Sequence, residues 1–144
     1  MSNVKLDVYL YFRGQCQEAM EFYKNIFGGE LETSPYANIP GGVPGISDDP
    51  TKQDWLMHAK LDGGDITLMG SDTVQASEQS AKVELALGGS DEARLRDIFG
   101  KLSEGGTVRS DLKKEAWGDI FGALTDKYNI TWMVNITTSD PGVV

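Results

Sequence analysis

Histidine occurs once in this chain, at position 58 within WLMHAKL, and cysteine once, at position 16. A lone imidazole titrating near neutrality can accept a proton or orient a carbonyl or anionic group. In a strand it more often serves as a structural hydrogen-bonding residue. Cys16 falls on the apolar stripe of a helix, where a thiol packs; a nucleophilic thiolate would need a cation or an exposed helix N-terminus beside it. A catalytic zinc or iron wants about three His, Cys or carboxylate ligands, so any metal here would have to rest on carboxylates, and none is expected. Among the acids Asp111, Glu115, Asp119 and Asp126, Asp119 stands out because it follows Trp117-Gly118 at the mouth of a hairpin, whereas Asp126 suits the ordering of a turn. Trp55, Trp117, Phe121 and Trp132 could wall a pocket for a flat or apolar ligand, although large aromatics mostly pack cores. There is no P-loop, dinucleotide fingerprint or Gly-x-Ser-x-Gly elbow, and MGSD at 69–72 has too few glycines to cradle a phosphate.

Composition narrows the partners. With 144 residues, 40% hydrophobic and 24% charged, the chain suits one globular domain burying roughly 70% of its unfolded surface. Thirteen basic against 22 acidic residues give a formal charge of −9 with no Lys/Arg cluster, so nucleic acid and anionic membrane are poor partners. A single cysteine excludes an intramolecular disulfide and fits a reducing compartment. MSNVKLDVYLYF lacks both a basic leader and a long apolar run, and no segment approaches a membrane span. A soluble cytoplasmic protein is expected.

The elements that must position these residues follow from hydrophobic period. Lys5 to Phe12 alternates, with Leu6, Val8, Leu10 and Phe12 on one face and Asp7, Tyr9 and Tyr11 on the other, which makes both faces of that strand useful. From Gln15 to Phe27 the apolar positions Cys16, Ala19, Met20, Tyr23, Ile26 and Phe27 recur at helical spacing, and Gly28-Gly29 supplies a stop. A short strand is predicted at Glu30–Thr33. Residues 34–54 carry four prolines and three glycines without a sustained period, a long loop of the kind that can close over a ligand. Residues 55–61 and 65–70 form a hairpin across Asp62-Gly63-Gly64, and 73–81 reads as a linker. Then come a strand at 82–87, a Gly88-Gly89 turn, an N-cap at Ser90, and a helix burying Leu95, Ile98, Phe99 and Leu102 before Gly105-Gly106. A short strand holds Val108, and Asp111–Lys114 reads as a charged loop. The final hairpin pairs 120–125 with 130–136 across Asp126–Asn129, with Asn129 best able to turn left-handed. In its second strand Ile130, Trp132, Val134 and Ile136 oppose Thr131, Met133 and Asn135.

The two halves share one grammar: strand, helix with Glu-Ala near its start, Gly-Gly, short strand, loop, hairpin. A unit that cannot close its own sheet must pair with a copy of itself. YLYFRGQCQEAMEFYKNIFGGEL, MHAKLDGGDITLMGSD and AWGDIFGALTDKYNITWMVNI, in that order and spacing, resemble the PhnB-like branch of the glyoxalase/bleomycin-resistance/dioxygenase superfamily, also called vicinal oxygen chelate. That branch often carries the label 3-demethylubiquinone methyltransferase-like. The resemblance runs from about Lys5 to Ile136. It implies an α+β fold of paired βαβββ modules, here about 5–72 and 82–137 with a linker at about 73–81, whose curved sheets flank a cleft. It also implies a homodimer.

Metal-using members of the superfamily place ligands on the first and fourth strands of each module. By register those places fall at about Val8, Thr67, Lys82 and Thr131, none a good ligand for a divalent transition metal; Glu84 and Asp65 are close by but cannot supply a full set. Glyoxalase-type isomerisation and extradiol cleavage both need a metal to polarise vicinal oxygens, and the chain shows no recognisable adenosyl-methionine site. The expectation is a metal-free, cofactor-free protein that binds an unidentified small molecule in the module cleft. Its lining would be Leu10, His58, Thr67, Met69, Lys82, Trp117, Phe121 and Thr131, with His58 or Lys82 orienting a carbonyl or anion and the aromatics covering a flat face. The alternatives are a metal-dependent lyase, isomerase or dioxygenase with a carboxylate-rich site, and a duplicated scaffold for protein partners with an exposed apolar patch.

Overall fold

A computed structural model describes residues 5–75 and 83–138. The chain divides into two compact units, Met1–Ser77 and Glu78–Val144, each carrying one helix and one open, four-stranded mixed sheet. In the first, β1 (Val8–Phe12), α1 (Cys16–Phe27), β2 (Glu30–Pro35), β3 (Leu56–Asp62) and β4 (Thr67–Asp72) give the strand order β1-β4-β3-β2. In the second, β5 (Leu85–Gly89), α2 (Glu92–Ser103), β6 (Thr107–Lys114), β7 (Ile120–Thr125) and β8 (Thr131–Ile136) give β5-β8-β7-β6. The first strand of each unit runs parallel to the last and every other pairing is antiparallel, so the architecture is α+β with the βαβββ order occurring twice. Among the described residues no helix is long and apolar enough to cross a membrane.

Helix α1 buries Cys16, Ala19, Met20, Tyr23, Ile26 and Phe27, the stripe its spacing predicts. Burying side chains of this size contributes roughly 2 kcal/mol each. Gln15 offers no side-chain cap. The carboxylate of Asp72, at the end of β4, does that work from a distance: it accepts the backbone N–H of Gly14 at 2.7 Å and of Cys16 at 3.0 Å, and with its other oxygen that of Leu56 at 2.9 Å. One buried anion thereby joins the start of the helix to two strands.

In the second unit Leu95, Ile98, Phe99 and Leu102 of α2 are buried, as are Trp132, Val134 and Ile136 of β8, while Asn129 takes the left-handed turn conformation at φ 67°. The helix N-cap lies one residue beyond the expected Ser90, at Asp91, which accepts the Arg94 N–H at 3.1 Å. Both residue types cap well, and aspartate adds a charge suited to the helix dipole. The expected break between Val108 and a loop at Asp111–Lys114 is replaced by one eight-residue edge strand with irregular register between Val108 and Ser110 and again between Ser110 and Lys113. Those bulges scramble the alternation, and an edge tolerates charge that a central strand would not. Similarly, β4 runs two residues further than expected because Ser71 and Asp72 pair with Tyr11 and Phe12, and β5 begins at Leu85 rather than at position 82.

Residues 36–55 fold on themselves rather than trailing as a structureless loop. Two short 3-10 turns, Tyr36–Asn38 and Pro50–Lys52, are latched by Lys52, whose ammonium reaches the Gly45 carbonyl and the Asp49 carboxylate, each at 3.1 Å, and lies over the Trp55 ring. Hydrogen bonds from the Thr51 hydroxyl and backbone N–H hold the Asp49 carboxyl down at about 2.

Candidate functional site

Strand alternation sorts the first sheet into two faces. Leu10, Phe12, Ala59, Leu61 and Leu68 are buried, on the side where a side chain at Gly70 would meet Cys16 and Met20 of α1. The opposite, helix-free face receives Tyr9 and Tyr11 from β1, Thr67, Met69 and Ser71 from β4, and His58 and Lys60 from β3. His58 and Lys60 reach this face by alternation with the buried Ala59 and Leu61, and the β2–β3 register shift at Ser34/Pro35 lets Leu56 turn inward instead of joining them.

The Tyr9 hydroxyl lies 2.9 Å from Nδ1 of His58, with ring centroids 5.7 Å apart. Their strands are separated by β4, a gap of roughly 10 Å between backbones, which a phenol and an imidazole span end to end. With Tyr9 donating to Nδ1, neutral His58 carries its proton on Nε2 and presents a donor. Tyr11 stands beside the pair, 5.2 Å from the Tyr9 ring, and is 60% exposed. Burial, then the neighbouring Tyr11, raise the Tyr9 phenol above its ordinary value, opposed by a hydrogen bond from Ser71. Tyr9 therefore remains a proton donor across the physiological range.

Of the expected lining, His58, Thr67 and Met69 come together on this face. Leu10 does not: it is buried on the helix side, because one-residue alternation from Tyr9 turns it inward. Lys82 lies outside the described residues. Trp117, Phe121 and Thr131 belong to the second unit. There Phe121 pairs with Asn135 on the helix-free side of β7 and β8, and Trp117, 48% exposed, meets its ring edge-on at 6.1 Å. The Thr131 hydroxyl donates to the Val83 carbonyl at 2.9 Å, anchoring the approach to β5. Asp119 is engaged structurally, accepting from the Asn135 side-chain amide at 2.9 Å.

Tyr9, Tyr11 and Lys60 share this face with His58, Thr67 and Met69, and reading for singular chemical groups passes over them. The Tyr-x-Tyr alternation opposite Leu10 and Phe12 is the signal that places two of them on a common open face.

The described side chains at the expected ligand positions do not fit a transition metal. Val8, Thr67 and Thr131 offer no imidazole, thiolate or carboxylate, Glu84 forms an ion pair with Arg109, and Asp65 is exposed in the β3–β4 connection. Among the described residues no three His, Cys, Asp or Glu side chains are grouped to hold an ion. Cys16 is fully buried, and burial together with the Asp72 carboxylate pushes its thiol up to about 12, which leaves it protonated and unreactive.

Residues 5–134 match the Glyoxalase/Bleomycin resistance protein/Dioxygenase superfamily. The chain belongs to that superfamily. Protein PA1353 from Pseudomonas aeruginosa shares 31% identity and superimposes with a TM-score of 0.76, covering 94% of this chain and all of that one. The PhnB protein from Bacillus cereus shares 25% identity at a TM-score of 0.71, over 93% of this chain and 100% of the other. Protein YjdN of Escherichia coli K12 is 24% identical over 143 residues, 94% of this chain and 97% of its own. Within the glyoxalase superfamily these similarities place the chain in the PhnB-like branch.

Proposed function

We propose that this glyoxalase-superfamily protein binds a small organic molecule without a metal, and that in the first unit the ligand lies against the helix-free face of the sheet. The Tyr9–His58 hydrogen bond carries this reading. It orients the chain's only imidazole on a face that also offers an aromatic pair, a thioether at Met69 and the Thr67 hydroxyl. Apolar enclosure with a few fixed donors is the usual composition of a small-molecule site. The absence of a metal is supported by the donor inventory at Val8, Thr67 and Thr131. On the same reading the protein works as a cytoplasmic homodimer, and the charge of −9 supports small molecules over nucleic acid or anionic lipid as partners.

Because His58 is unique, its ring protons give a resolved NMR signal that reports on this face. A metabolite library should contain compounds that shift that signal and raise the melting temperature. Tyr9→Phe, which frees the ring, should weaken a hit roughly tenfold, the value of one oriented hydrogen bond. A library that never moves the His58 signal, or stoichiometric uptake of nickel, zinc, manganese or iron by protein purified without chelator, would overturn the proposal.

A further inference from the structure

Resting on that reading, we infer that the ligand class for the first sheet is a flat, apolar carboxylate: an aromatic ring joined to a carboxylate by a short spacer. The register supplies the argument. Tyr9, Met69 and Lys60 occupy one row across β1, β4 and β3 on the helix-free face. Lys60 is half-buried, and no described carboxylate lies within ion-pair distance of it, although Glu32 sits opposite it on β2. In a chain of net charge −9, a cation without an ion pair beside an aromatic pair complements an anion.

Size and polarity agree along the row. From the β1 backbone to the β3 backbone is roughly 10 Å, the reach of an aryl group plus a two- or three-carbon acid. The ring would rest on the Met69 thioether, a favourable sulfur–aromatic contact, against Tyr9 and Tyr11. At the other end, the Lys60 ammonium and the Nε2–H of His58, two residues apart on one strand and so on one side, give charge-assisted hydrogen bonds to the two carboxylate oxygens. A neutral isostere would keep the stacking and lose the charged end.

The test is a titration of 3-phenylpropionate, 3-phenylpropanamide and propionate into the full chain, followed through the His58 ring signal. Phenylpropionate is expected to bind at least about tenfold more tightly than either the amide or propionate. Lys60→Met should remove the preference for the acid over the amide, and Lys60→Arg should retain it. Equal shifts by acid and amide, or an acid preference that survives Lys60→Met, would overturn the carboxylate assignment and leave ligand binding on this face standing. A signal unmoved by all three probes but moved by a library compound overturns the class alone. A signal moved by nothing overturns both.

Discussion

The carboxylate of Asp126 accepts the indole N–H of Trp132 at 2.9 Å, with the aspartate 3% and the indole 1% exposed. Its other oxygen accepts the backbone N–H groups of Tyr128 and Ile130 at 2.8 and 3.0 Å. Asp126 therefore shapes the β7–β8 turn and orients the largest ring of the second core at once. Removing it takes away this acceptor of the buried indole N–H, at about 1–3 kcal/mol for each buried group that loses its hydrogen bond. Asp126→Ala should lower stability by about 3 kcal/mol in urea denaturation, while the exposed Asp111→Ala stays within about 0.5 kcal/mol. Similar losses for the two would refute a structural role for the buried carboxylate.

Asp72 does the corresponding work in the first unit, but for three backbone donors from two segments of chain, Gly14, Cys16 and Leu56. Asp72→Ala should cost about 4 kcal/mol, because a buried network is broken on one side only. It should also loosen the start of α1 enough to speed modification of Cys16 by a thiol reagent in native buffer. A destabilised variant with an unchanged modification rate would separate the aspartate from the helix start.

Cys16 also predicts an alkaline limit. Its thiol titrates at about 12 in the folded protein against 9.0 ordinarily, so between those values the unfolded chain has lost a proton that the folded chain retains. Stability is fully present below about pH 9 and falls as pH rises toward 12. Cys16→Ala loses packing but should flatten that decline, visible as a shallower fall in the urea midpoint between pH 9 and 11. A decline equally steep in the variant would assign it to other groups.

The helical stripes, the left-handed Asn129 and the faces of β8 were legible because each follows from a local period or a single residue's backbone preference. The edge strand β6 was not, since its two bulges erase alternation over Val108–Lys113. The candidate site was legible only where a rare residue drew attention. His58 stands out as a type, but its partner Tyr9 is 49 positions away and meets it only through the parallel β1–β4 register. That pairing is a property of the sheet rather than of either segment. Leu10 was misplaced for the same reason: which face of β1 meets the helix is decided by the packing of α1, while the alternation alone permits either.

The glycine pairs that end the helices make the sharpest comparison between the units. Gly28 and Gly105 have positive φ, 77° and 76°. A side chain at Gly28 would meet nothing, and one at Gly105 only the flexible arm of Lys127. Alanine at either should cost about 1 kcal/mol for the backbone conformation. The second glycine of each pair faces backbone: a side chain at Gly29 would collide with the Asp62 carbonyl, and one at Gly106 with the Thr125 carbonyl. Neither carbonyl can swing aside, because each sits where a β-hairpin enters its turn. Gly29→Ala and Gly106→Ala should therefore each cost about 3 kcal/mol or more, well beyond Gly28→Ala and Gly105→Ala, in denaturant melts of the four variants. Equal costs within a pair would mean that conformation, not the close approach of helix stop to hairpin, dictates glycine there.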